Sequence, residues 1–113
     1  MDRIIKIVIV DDHEIFRSGL KMVLGKLNYI KVVGEASNGQ EFLDLLRITP
    51  VDIVLMDIEM PIMNGIDATQ IALKEKPDLK IISLTMFTED DYIQSMMDAG
   101  VKGFLVKNIN KDT

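Results

Sequence analysis

Val51-Asp52-Ile53-Val54-Leu55-Met56-Asp57-Ile58-Glu59-Met60-Pro61 sets four consecutive apolar residues, Ile53 to Met56, directly before a carboxylate. A short unbroken apolar run bounded by turn residues predicts a strand buried on both faces. Pro61 and the pair Asn64-Gly65 close it with a loop. Asp57 therefore stands where a buried strand emerges, and open parallel sheets bind their ligands at that carboxyl edge. One acid after one strand carries little weight, because loop acids and helix caps look the same.

The flanking chain supplies the rest of the sheet. Ile4 to Val10 reads as a largely buried strand ending at Asp11-Asp12. From Glu14 the period becomes helical, with Ile15, Phe16, Leu20, Val23, Leu24 and Leu27 on one side as far as about Asn28. Tyr29 to Glu35 is a second strand, and its Lys31 and Gly34 suit an edge. Ser37-Asn38-Gly39 supplies a turn and an N-cap for a helix through Phe42, Leu45, Leu46 and Ile48, which Thr49-Pro50 stops. After the Asp57 strand, Asn64 caps a helix that turns Ile66, Ala68, Ile71 and Ala72 inward. Lys80 to Thr85 is the fourth strand. Glu89-Asp90-Asp91 opens a helix with Ile93, Met96, Met97 and Ala99 on its apolar side, ended by Gly100. Gly103 to Val106 is a short fifth strand that delivers Lys107. Strict alternation of β and α predicts a parallel α/β sheet with right-handed crossovers and helices on both faces.

With 113 residues the chain has the size of one domain. Its formal charge of -5 argues against holding nucleic acid by the phosphates. Zero cysteines exclude disulfides and thiolate metal sites, which is compatible with the cytoplasm. No apolar run approaches the roughly 18 residues of a membrane span.

Four of the strands end in chemistry: Asp11-Asp12, Asp57, Thr85 and Lys107. In a parallel sheet these ends share one edge. Three carboxylates held together repel one another, and a hard divalent cation resolves the repulsion; oxygen ligands favour Mg²⁺. Lys107 adds a fixed positive charge and Thr85 a hydroxyl donor, a set suited to an incoming phosphoryl group. Each residue also has a plainer reading. Asp11 and Asp12 suit a helix cap, Thr85 any strand, Lys107 a solvated surface, and Phe104 the core. His13 is a candidate phosphate carrier or metal ligand, but a lone His beside a helix start reads as structural and is given no catalytic role. The joint arrangement at four strand ends favours function.

At this point the chain resembles the receiver domain of two-component response regulators, over its whole length. The resemblance rests on VDD (Val10 to Asp12), VLMDIEMPIMNG (Val54 to Gly65), SLT (Ser83 to Thr85) and GFLVK (Gly103 to Lys107). VDDHEIFRSGL is similar to the subfamily that precedes a helix-turn-helix DNA-binding domain. The resemblance implies a flavodoxin-like doubly wound sheet of order 2-1-3-4-5, in a cytoplasmic protein. It implies that Asp57 accepts a phosphoryl group from a sensor histidine kinase. Asp12, Asp57 and the Glu59 backbone carbonyl would bind Mg²⁺ directly, with Asp11 acting through water. Thr85 and Lys107 would hold the phosphoryl oxygens, and Phe104 would change position with Thr85. Met86 stands where relatives have small residues, and either gates water at the acceptor or turns into the core. Lys107 is followed by Asn108, where many relatives have a cis-Pro; a cis bond before any other residue costs about 2.5–4 kcal/mol.

Two other functions compete with the switch. One is a Mg²⁺-dependent phosphohydrolase using Asp57 and Glu59, against which stand the motif's place after the third strand and Glu where Asp is expected. The other is an interaction module whose site is unused. Residues 1–113 are expected to form one receiver domain cut short at its C-terminus. Its fifth helix would be absent or truncated after Asp112-Thr113, with the DNA-binding output domain lying beyond. Apolar area around Phe16 and Leu20 would then lie open, or be covered by a second copy in a homodimer.

Overall fold

Alternating apolar residues decide both faces of the sheet. In β1 (Ile5–Val10), Val8 and Val10 point to one side and Ile7 and Ile9 to the other, and all four are buried. β3 (Ile53–Asp57) does the same, with Val54 and Met56 against Leu55. A strand covered on both faces needs no polar side, so such runs read as continuously apolar. The computed structural model describes residues 3–86 and 90–107. Glu89 as a helix-opening acid, the Lys107–Asn108 bond and the helix start at Asp112-Thr113 lie outside those residues.

Five parallel strands run in the order β2-β1-β3-β4-β5, with β2 (Ile30–Ala36), β4 (Lys80–Thr85) and β5 (Gly103–Val106) completing the set. β2 is an edge strand, as its Lys31 and Gly34 predict. Among the described residues there are four helices: α1 (Glu14–Leu24), α2 (Gly39–Leu46), α3 (Gly65–Glu75) and α4 (Asp90–Ala99). Phe42, Leu43 and Leu46 of α2, Ala68 and Ala72 of α3, and Met96 of α4 pack with Val8, Val10, Val54, Met56 and Ile81. Phe16, Leu20 and Leu24 of α1 cover Ile7, Ile9, Leu55 and Leu84 on the opposite face. This is the flavodoxin-like, doubly wound architecture.

Asn64 caps α3 as expected, and within Ser37-Asn38-Gly39 the cap of α2 is Asn38. The Asn38 and Asn64 side chains accept from the Glu41 and Asp67 N–H groups, both at 2.9 Å. Gly100 ends α4 with φ 112°, a conformation that disfavours any Cβ.

Helix faces are narrower than the sequence suggested. Ile15 and Val23 each precede an inward residue, Phe16 and Leu24, by one position, a rotation of about 100° on a helix of 3.6 residues per turn. They sit on the outer flank, and Ile15 is 89% exposed. Ile48 lies beyond the end of α2 and Met97 beside the buried Met96, and both are exposed. α1 ends at Leu24 rather than near Asn28, because Lys26 and Leu27 donate to Val23 and Leu24, tightening the last turn to i→i−3 bonds.

Candidate functional site

Parallel pairing sets the ends of β1, β3, β4 and β5 on one edge, and the predicted residues meet there. Val10 pairs with Met56, Asp57 with Leu84 and Thr85 with Val106. Asp11 and Asp57 follow from the two central strands, and both are buried, Asp57 to 3% exposure. Asp12 is on the rim. Lys107 follows β5, its N–H donating to the Thr85 carbonyl at 2.6 Å, and its side chain returns across the sheet edge. At 3% exposure Lys107 is not the solvated charge of the plainer reading.

The Lys107 ammonium lies 2.8 Å from Asp11 Oδ2 and 3.6 Å from Asp57 Oδ2. Beneath it is the Phe16 ring, 4.7 Å from Nζ to the centroid, a cation–π contact that gives a buried ammonium a second favourable surface. Asp57 Oδ1 accepts the Ile58 N–H at 2.9 Å, fixing the carboxylate at the strand end. Thr85 is buried at the end of β4. Phe104 pairs with Ser83, two residues before Thr85, and packs partly buried on the face of α2, α3 and α4. Met86 is half-buried.

The loop after Asp57 is held tightly. Met63 donates to the Pro61 carbonyl at 2.7 Å around Ile62, whose φ is 69°. A β-branched residue in this three-residue turn stores about 1–3 kcal/mol of strain. Gly65 N–H donates to the Ile58 carbonyl at 2.7 Å, and a Cβ on Gly65 would meet the Asp57 carbonyl oxygen at 1.9 Å. Glu59, exposed on this loop, accepts the Tyr92 hydroxyl of α4 at 3.1 Å.

Two neighbours of the acids escaped the sequence reading, Phe16 as the seat of the ammonium and Arg17, while His13, read as structural, lies among the carboxylates. Arg17 donates to the Asp11 carbonyl and, at 3.0 Å, to Glu35. Lys21 at 2.7 Å and then Arg17 hold the Glu35 carboxyl below its ordinary 4.5. His13 is the N-cap residue just before α1, and its ring Nδ1 lies 2.9 Å from Asp11 Oδ1, 3.4 Å from Asp12 Oδ1 and 3.1 Å from Lys107 Nζ. Its position directly after Asp11-Asp12 was the available signal.

Three carboxylates thus face one ammonium, leaving two formal negative charges that a single divalent cation would neutralise. The carboxylate oxygens are also the donors a hard ion prefers, so the cluster can hold a metal ion.

Residues 7–113 match the family model described as the response regulator receiver domain. The chain is 43% identical to the response regulator UvrY of Escherichia coli K12 and 38% identical to the response regulator GacA of Pseudomonas aeruginosa. Each match covers 91% of this chain, with 47% and 48% of the respective relative. It is 34% identical to the transcriptional regulatory protein DegU of Brevibacillus brevis over 96% of the chain and 46% of that relative. The chain therefore spans about half the length of these curated relatives. Among solved structures, a LuxR-family two-component response regulator from Aurantimonas superposes with a TM-score of 0.86 at 31% identity, covering 93% of this chain and 75% of that one. The signal receiver domain of NarL from Mycobacterium tuberculosis gives 0.85 at 28%, covering 96% and 87%.

Proposed function

The chain belongs to the response regulator receiver domains, the phosphoacceptor modules of two-component signalling, and from that premise we propose that Asp57 takes the phosphoryl group. The observation that carries this is the burial of Asp57 at the end of a central strand, 3.6 Å from the Lys107 ammonium. An Asp57 carboxylate oxygen attacks phosphorus, and the bond from phosphorus to the donor nitrogen of a sensor histidine kinase breaks. Asp12, Asp57 and the Glu59 carbonyl would bind Mg²⁺ directly, with Asp11 acting through water. When bound, the ion supplies charge neutralisation for the phosphoryl oxygens. Lys107 and the Thr85 hydroxyl hold those oxygens, which is positioning and electrostatics rather than covalent chemistry.

Phosphorylation adds close to two negative charges. Thr85 drawn toward them leaves room for Phe104, two residues along on the neighbouring strand, so the face of α4 and β5 reads out the event. Met86 follows Thr85 directly and, as a gate, lies across the path of attacking water. The protein is a switch rather than a turnover enzyme. It is cytoplasmic, can cover its open apolar area by pairing with a second copy, and reaches DNA only through an output domain of a longer regulator. Kinship with a transcriptional regulatory protein supports that last step.

Incubation with acetyl phosphate and Mg²⁺ is expected to add one phosphoryl group by mass spectrometry, lost in Asp57→Asn and with EDTA. Equal labelling of Asp57→Asn would overturn the assignment. In the same assay Met86→Ala is expected to shorten the lifetime of the label. With beryllofluoride, Thr85→Ala is expected to abolish the chemical-shift changes at Phe104. Unchanged lifetime or unchanged shifts would remove those two residues from the mechanism.

A further inference from the structure

His13 holds the N-cap position of α1, yet its side chain makes no capping bond. Its backbone N–H donates to Asp11 Oδ1 at 2.8 Å, which ties the residue to the acids. Its ring does not turn to the helix; Nδ1 faces the carboxylates. The distances from Nδ1 to the three acids are 2.9 Å to Asp11, 3.4 Å to Asp12 and 4.0 Å to Asp57. Donors bound about 2.1 Å from a common ion lie about 3 Å apart when adjacent and about 4.2 Å apart when opposite. Nδ1 therefore stands at about ligand-to-ligand spacing from Asp12 and Asp57, in a group whose donor atoms all lie within 4.8 Å of one another. Nδ1 also lies 3.1 Å from the Lys107 ammonium, so a metal ion that takes its single lone pair displaces that contact and the one to Asp11.

Mg²⁺ is a hard ion that prefers oxygen and gains little from imidazole. Zn²⁺, Co²⁺ and Ni²⁺ are borderline ions that gain much from it and rank above lighter divalent ions at mixed nitrogen and oxygen sites. We infer that His13 sets the metal selectivity of this site, supplying Nδ1 as a ligand to borderline divalent ions while Mg²⁺ is held by oxygens alone. The inference rests on the reading that Asp12 and Asp57 bind a cation. Its consequence is a site that Zn²⁺ occupies in competition with Mg²⁺.

The chain has one histidine, so every imidazole signal belongs to His13. Nitrogen-15 spectra of the 113-residue chain, recorded during Zn²⁺ titration, are expected to show the large shift at Nδ1 and not at Nε2. Calorimetry with Zn²⁺ and with Mg²⁺ is expected to show that His13→Ala weakens Zn²⁺ binding by about 10–100-fold and leaves Mg²⁺ binding little changed. Asp12→Asn is expected to weaken both. The inference falls if His13→Ala weakens both ions equally, if Zn²⁺ shifts Nε2 instead, or if Asp12→Asn leaves Zn²⁺ binding intact, since the ion is then at the surface. If wild type binds neither ion, the underlying carboxylate reading fails. If Mg²⁺ binds and Zn²⁺ ignores His13, only the selectivity role fails.

Discussion

At the carboxyl end of the sheet Asp11, Asp57, Thr85 and Lys107 are all buried. At the amino end the same kinds of side chain, Arg3, Asp52, Lys76, Asp78 and Lys80, stand around an open cavity of ≈ 500 Å³. Arg3 pairs with Asp52 at 2.6 Å with most of its side chain in water, and the Asp52 carboxyl also accepts the Lys6 N–H at 2.8 Å. The amino end has met its electrostatic needs locally and cheaply. The carboxyl end has gathered more negative than positive charge in a place where desolvation makes imbalance costly. A sequence under selection for stability alone would not keep that arrangement, and the excess marks the end at which a ligand acts.

Removing the ammonium should break this contrast most. Lys107→Ala strips the buried Asp11 and Asp57 of their shared cation, and breaking a buried pair costs about 3–5 kcal/mol. Urea unfolding is expected to register that loss without metal and to recover part of it on adding Mg²⁺. An unchanged midpoint would mean that water already solvates these acids. Gly65→Ala comes next. Its Cβ would strike the Asp57 carbonyl at 1.9 Å, so the loop or α3 must move, at about 1–3 kcal/mol for overpacking. Weaker Mg²⁺ binding is expected to accompany the loss, because the loop carries Glu59. A stable variant with unchanged Mg²⁺ affinity would show that the close approach does not position the site.

Most of this end of the molecule was legible because it depends on order along the chain. Strand periodicity gave β1, β3 and β4, alternation gave the parallel sheet, and a parallel sheet brings Asp11, Asp57, Thr85 and Lys107 to one edge without further information. What was not legible depends on distances between elements. Asn64-Gly65 reads as a loop, and Asn64 does cap α3, but the need for glycine at 65 comes from the Asp57 backbone passing beside it. Likewise Phe16 belongs to an apolar stripe by its spacing, and only the packing of α1 sets it under Lys107. Ile15, Val23 and Met97 look inward to a pattern that counts apolar residues. They turn outward because a helix lying on a sheet buries a stripe narrower than that pattern.

The smallest effects should come from the amino end, and they sharpen the comparison by separating its two interactions. The Asp52 carboxyl is held below its ordinary 3.8, first by the Lys6 N–H and then, against some desolvation, by Arg3. Arg3→Ala removes an exposed ion pair, and such pairs contribute about 0–1 kcal/mol. Asp52→Ala also leaves the Lys6 N–H at the start of β1 without its carboxylate, and a hydrogen bond to a charged group contributes about 1.5–3 kcal/mol. Water reaches this half-buried site, so the low end applies and Asp52→Ala is expected to cost more than Arg3→Ala. The pH dependence has a fixed sign. Because the folded-state pKa of Asp52 lies below the unfolded one, its stabilisation is complete above the unfolded value and is lost as pH falls through the folded value. Wild type and Asp52→Ala should therefore converge in stability below pH 3.8 and separate above it. Added salt should shrink the effect of Arg3→Ala and leave that of Asp52→Ala largely intact. If both variants lose the same amount and salt erases both, the ion pair dominates and the backbone contact contributes little.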